Sequence, residues 1–255
     1  MSKDTRRDFL KFGVIGLGSA VLLDACAKQT TNSQPANAAP SASPSDENNP
    51  NEPIEVTAVE DLMREHGVLR RALLIYSEAA MRLRKDAASV APAALQKAAK
   101  IFRTFGEDYH EKKLEEAYLF PLIKQKAADS DAAKYTDILI TQHNRGREIT
   151  DYIISVTNAA KIGADAKAFA DLLDAFTRMY QNHAAREDTI IFPAWKSLLT
   201  SKEYDELNDK FEDIEQDQFG EDGFEQAVKQ IGEIESSLGL SDISIFTPPA
   251  PPPAK

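Results

Sequence analysis

The chain has 255 residues, of which 42% are hydrophobic and 28% charged, within the range of ordinary soluble globular proteins of one or two domains. Its formal net charge is −11 and no cluster of Lys and Arg occurs after residue 11. Nucleic acid is therefore disfavoured as a partner, because phosphate has to be neutralised by basic patches.

Ala, Leu, Glu and Lys are abundant, glycine is sparse away from boundaries, and β-branched runs are short. This composition predicts an all-α protein. Residues 1–27 read as an export address. Thr5-Arg6-Arg7-Asp8-Phe9-Leu10-Lys11 resembles a twin-arginine signal, and the apolar stretch from Phe12 to Leu23 is too short to span a bilayer as a mature helix. Leu23-Asp24-Ala25-Cys26 resembles a bacterial lipobox, with Asp24 where a small or apolar residue is usual. Cys26 is thus the lipid-attachment candidate, and such an N-terminal anchor is the only membrane association expected. Ala25-Cys26-Ala27 also satisfies the small-x-small rule of ordinary signal cleavage, so lipid-anchored and free exported forms both fit a periplasmic or cell-envelope location. Cys26 is the single cysteine, which excludes an intramolecular disulfide and thiolate-bound zinc or iron–sulfur sites in the body of the protein.

Residues 28–53, rich in Ser, Pro, Asn, Ala and Thr without apolar periodicity, predict a disordered linker. A helical domain is expected over 54–240. Its first helix starts at the capping box Thr57-Ala-Val-Glu60 and turns Leu62, His66, Leu69, Leu73, Tyr76, Ala80 and Leu83 inward. Pro92 suits the first turn of a second helix carrying Leu95, Phe102, Phe105 and His110. Asp129 or Ser130 can cap a third, with Leu139, His143 and Ile153, stopping near Gly163. Asp165 can cap a fourth, with Phe169, Leu172, Phe176, Met179, His183, Glu187 and Ile190 on one stripe. Four helices with short connections imply an antiparallel up-and-down bundle. Two further C-terminal helices are expected, one after the capping box Thr200-Ser-Lys-Glu203 and one over about 221–238 closed by Gly239. Residues 241–255 form a Pro-rich tail.

The chain has four histidines, His66, His110, His143 and His183, and one falls in each bundle helix. His110 and His183 open two versions of a phrase that ends in Phe-Pro, while His66-GVLRR and His143-NRGRE are weaker copies of another. Imidazole and carboxylate projecting inward from facing helices are how bundles build dinuclear iron or manganese sites. His183 and Glu187, four apart, share a helix face and can reach one ion or an adjacent pair. Glu116 and Asp188 are candidates to orient imidazole rings. Tyr76, Tyr109 and Tyr180 lie near bundle-facing positions, and Trp195 reads as core.

In combination these segments resemble the hemerythrin-like (HHE cation-binding) family. The resemblance runs from residue 61 to about 239 and rests on Arg64-Glu65-His66-Gly67-Val68-Leu69-Arg70-Arg71, on Glu115-Glu116 before Phe120-Pro121, and on Glu187-Asp188 before Phe192-Pro193. It implies a non-haem diiron centre with His66, His110, His143 and His183 as terminal ligands and Glu115 and Glu187 as bridging carboxylates. Two iron ions are the implied cofactor, ahead of manganese or zinc. Where oxygen carriers of the family place a second histidine in the third helix, this chain has Arg147, read as a salt-bridge partner of a nearby carboxylate. The family's His-x-x-x-Glu step would place Glu at Leu114; Glu115 comes one residue later, about 140° from His110 on an ideal α-helix. A π-bulge between them would restore the alignment, and a regular helix would make Glu111 the ligand instead. The implied role is binding or sensing a small ligand, oxygen, nitric oxide or peroxide. A diiron oxidase or peroxidase and an iron storage or delivery protein are the alternatives; no second cofactor site supports a dedicated enzyme.

Overall fold

The computed structural model describes residues 56–158, 162–220 and 222–252; the segments 1–27 and 28–53, read above as an export signal and a linker, and Cys26 lie outside the described residues. Every regular element among the described residues is helical. Helix α1 (Ala58–Lys85) begins where the Thr57 hydroxyl accepts from the Glu60 N–H, and its first turn holds Glu60 and Asp61 while its last holds Arg82, Arg84 and Lys85. Both charge placements complement the helix dipole. The expected inward stripe, from Leu62 to Leu83, is buried throughout.

The second rod runs without interruption through α2 (Pro92–Ile101), a π-helical segment (Phe102–Leu119) and α3 (Phe120–Lys126). A single bulge was the expectation; the wide winding instead extends over eighteen residues. The reason is visible in the burial: Phe105, His110, Glu115 and Phe120 recur every five residues and none exceeds 1% exposure. A period of five stays on one face only in an i→i+5 ladder, since a 3.6-residue turn would carry successive members around the rod.

Helix α4 (Asp131–Asn158) is capped by Ser130, whose hydroxyl accepts from the Ala133 N–H, and not by Asp129. Gly163 falls in a short 3-10 turn (Ile162–Asp165) and not in α4. The fourth rod joins α5 (Ala166–Arg186), a π turn (Glu187–Ile191) and α6 (Phe192–Ser197). Asp165 stands at the N-cap position of α5 but makes no side-chain capping bond. Its buried stripe is Phe169, Leu173, Phe176, Tyr180 and His183, continued by Glu187 and Ile191; Leu172, Met179 and Ile190, expected on the stripe, flank it half-buried. Stepping back from His183 by three and four residues alternately lands on the observed set.

Helix α1 packs on α5, α2 on α4, and the π-helical segment on both α1 and α4. Helices α7 (Ser201–Phe219) and α8 (Gly223–Leu238) lie against this helical bundle. Thr200 and Glu203 complete both hydrogen bonds of the α7 capping box, and Gly239 closes α8 with φ 72°, a left-handed conformation glycine takes without strain. Arg71 of α1 grips Glu235 of α8 through two bonds of 2.9 and 2.5 Å. No helix among the described residues is long and apolar enough to cross a membrane.

Candidate metal centre

The structure brings His66, His110, Glu115, His143, His183 and Glu187 together in the core, all at most 4% exposed. They sort into two pairs of imidazoles. His66 Nε2 and His110 Nε2 are 3.0 Å apart, and His143 Nε2 and His183 Nε2 are 3.1 Å apart. Two nitrogens held about 2.1 Å from a common ion and at right angles would be separated by about 3 Å.

Each carboxylate spans both pairs. Glu115 places Oε1 3.3 Å from His110 Nε2 and Oε2 3.4 Å from His143 Nε2. Glu187 places Oε1 2.9 Å from His183 Nε2 and Oε2 3.5 Å from His66 Nε2. Around His143 and His183 one oxygen from each carboxylate joins the two nitrogens, all four atoms within 4.8 Å of one another; around His66 and His110 Glu115 joins the pair at that spacing, and Glu187 approaches from the His66 side. All four of these oxygens are buried and receive no well-formed hydrogen bond. Buried carboxylate oxygens left without donors are costly, and a cation between them removes the cost. Imidazole and carboxylate together suit borderline dications such as iron, manganese or zinc.

The outer nitrogens are equally organised. His66 Nδ1 lies 2.6 Å from Asp188, His110 Nδ1 2.6 Å from Glu65, His143 Nδ1 2.8 Å from Glu116, and His183 Nδ1 2.9 Å from the Gln142 side-chain oxygen. These oxygens accept, so Nδ1 carries the proton and Nε2 of the neutral ring keeps its lone pair for a metal. Two arginines hold acceptors in turn: Arg70 binds Asp188, and Arg147 binds Glu116 at 2.6 Å and Glu111 at 3.1 Å. Arg147 thus lies on the carboxylates behind His143, and Glu111 is engaged by Arg147 and by the Tyr180 hydroxyl, which donates at 2.8 Å. Phe192 stacks on His66 and Phe120 on His143, so the two Phe-Pro steps wall the centre.

The pattern is duplicated. Glu65-His66 with Arg70 on α1 corresponds to Gln142-His143 with Arg147 on α4. His110, Glu115-Glu116 and Phe120 on the second rod correspond to His183, Glu187-Asp188 and Phe192 on the fourth. Sequence reasoning singled out Glu116 and Asp188 but missed Glu65, Gln142 and Arg70; their fixed offsets from His66 and His143 were the available signal.

Charge follows this geometry. Burial opposes protonation of His110, yet Glu115 and Glu65 outweigh it and hold the ring well above the usual histidine range. Burial also opposes the charge on His143, but Glu111, Glu116, Glu115 and Glu187 raise it to about 9. Burial and repulsion from Glu187 push Glu115 up, whereas His183 and His66 pull Glu187 well down against its burial.

A cavity with room for a molecule about the size of water opens beside His66, His110, His183 and Glu187. Leu69, Leu73 and Ala184 make its apolar wall, and Glu111 and Tyr180 its polar one.

A family model described as the hemerythrin HHE cation-binding domain matches residues 57–195, a span that holds all six central residues and ends before α7. Over 246 aligned residues, 95% of this chain, the sequence is 42% identical to "Uncharacterized protein Mb2018" of Mycobacterium bovis and to "Uncharacterized protein Rv1995" of Mycobacterium tuberculosis, covering 91% of each. No solved structure matches the chain.

Proposed function

The chain belongs to the hemerythrin HHE cation-binding family, and on that premise we propose that it holds a non-haem diiron centre that binds or senses oxygen, nitric oxide or peroxide. In this reading the four long rods are the family's up-and-down four-helix bundle. His66 and His110 hold one iron, His143 and His183 the other, and Glu115 and Glu187 bridge them. The observation that carries it is the set of four buried, donor-less carboxylate oxygens, each directed at an imidazole nitrogen from one of the two pairs.

When bound, the iron pair supplies reversible one-electron chemistry and open positions for a small ligand. The chain does the rest. Asp188, Glu65, Glu116 and Gln142 fix the four rings with Nε2 inward, and Phe120 and Phe192 keep water off two of them. The cavity beside the centre, with room for a molecule about the size of water, gives the smallest ligands a place next to the two imidazole pairs. Arg147, standing where a carrier has a further histidine, favours sensing or reactivity over reversible carriage. The segment 1–27 supports export, with Cys26 the candidate for lipid attachment and 28–53 the tether.

Metal analysis of the exported protein, followed by absorption spectra of the anaerobically reduced form before and after oxygen, tests the reading. Two irons per chain and an iron charge-transfer band that appears with oxygen are expected, and His183→Ala should lower the iron content. Protein that binds no iron, or a His183→Ala variant with unchanged iron, would contradict it.

A further inference from the structure

The duplicated pattern differs at one direct ring contact. Behind His110 the acceptor is a carboxylate, Glu65, at 2.6 Å; behind His183 it is a neutral amide, Gln142, at 2.9 Å. Both acceptors occupy the same place in the repeat, immediately before His66 and His143 respectively. The other two rings are matched: each donates to a carboxylate, Asp188 or Glu116, that is itself held by an arginine.

No arginine bonds Glu65 among the described residues. Its other oxygen accepts from the Tyr109 hydroxyl at 2.9 Å, and carboxylate oxygens of Asp61 and Glu215 lie within 4.8 Å of its own. Asp61 is itself 3.5 Å from Arg64, and Glu215 accepts from the Phe224 N–H at 2.7 Å, so the carboxylate bonded directly to the ring, Glu65, is what sets His110 apart. The extra carboxylate on the other side, Glu111, is 3.9 Å from His143 Nδ1. It takes bonds from both Arg147 and Tyr180, so its charge is offset by an arginine, as the charge on Glu65 is not. An imidazole whose outer N–H donates to a carboxylate is a stronger ligand than one donating to an amide, and such partners change metal affinity by about 10–100-fold.

We infer that Glu65 and Gln142 are the positioning residues that make the two metal positions unequal, the His66–His110 position binding its ion more tightly than the His143–His183 position. The inference rests on the diiron reading above. It gives the centre an order of filling, and it gives the two ions different electronic character although the residues facing them are of the same two types.

The test is anaerobic titration of the full chain with ferrous iron against a competing chelator, comparing wild type with Gln142→Glu and Glu65→Gln. Wild type should bind in two steps separated by about 10–100-fold. Gln142→Glu should strengthen the weaker step and Glu65→Gln weaken the tighter one, so each single substitution narrows the separation. Exchanging both residues together should restore it. In a centre whose halves start equal, either single substitution would make them unequal and widen the separation, so widening, or no change, overturns the inference while leaving the diiron reading intact. Equal steps in wild type overturn it as well. Absence of iron from wild type overturns the reading beneath it. Gln142 is only half-buried, so Gln142→Glu decides the matter should Glu65→Gln fail to fold.

Discussion

Gly146 shows how a single missing side chain shapes the pocket wall. A Cβ at this position in α4 would lie 1.9 Å from the Tyr180 hydroxyl oxygen and 2.8 Å from Cζ of the same ring. The absence of a side chain lets Tyr180 reach α4 and donate to Glu111. Gly146→Ala forces Tyr180 aside and breaks that bond, at an expected cost of about 1–3 kcal/mol in urea denaturation of the metal-free protein. In a Tyr180→Phe background the hydroxyl clash is gone and the ring clash remains, so the same substitution should cost less without becoming neutral; an undiminished cost would place the strain elsewhere. Such a contact was not legible in the sequence. Gly146 reads there as an ordinary weak point in a helix, and the residue it accommodates comes from a different rod. Of the four ring acceptors, Glu116 and Asp188 could be singled out because each follows a candidate carboxylate, whereas Glu65 and Gln142 could not, since each serves a histidine on another helix. The six residues that the structure gathers in the core were legible, because a histidine on an apolar stripe and a carboxylate four or five residues later are relations within one helix.

At the scale of elements, the first rod follows the 3.6-residue period and its buried stripe could be read directly. The second rod does not, because Phe105, His110, Glu115 and Phe120 keep a period of five and require the π ladder. That winding also shapes the contact between the second and third rods. Glu107 is fully buried there, its Oε1 accepting from the Thr150 hydroxyl at 2.6 Å and its Oε2 2.7 Å from Arg103, which continues to Asp151. Burial outweighs both the Thr150 bond and the arginine and pushes the Glu107 carboxyl up to about 8, from 4.5 for a free glutamate. Between these values the folded chain holds a proton that the unfolded chain has lost, so stability falls as pH rises through the window and levels off above about 8. The contribution is at most about 1.4 kcal/mol per pH unit crossed. Thermal melts of metal-free protein from pH 5 to 8.5 should decline less steeply in Glu107→Gln than in wild type; parallel curves would show that Glu107 is charged in the folded state at neutral pH.

At the scale of the whole molecule, the C-terminal helices lie beyond the span matched by the family model, yet one of them backs the centre. Phe219, at the end of α7, packs against Tyr109 and Phe105 with ring centroids 5.2 and 5.7 Å apart. Tyr109 donates to Glu65, and Glu65 accepts from His110, so α7 reaches His110 through three contacts. Phe211 of the same helix packs instead on Trp195 and Tyr118, outside this chain of contacts. Truncating either ring should destabilise the fold, by about 1–4 kcal/mol for an aromatic removed from a well-packed or half-buried position. The two truncations should differ in iron binding. Phe219→Ala frees Tyr109 to turn, loosens Glu65, and should weaken the tighter ferrous step, whereas Phe211→Ala should leave both steps in place. Chelator competition on the two variants, compared at matched distance below their melting temperatures, separates an effect on the centre from a loss of stability. Equal losses of affinity would mean that α7 acts on the centre only by holding the bundle together.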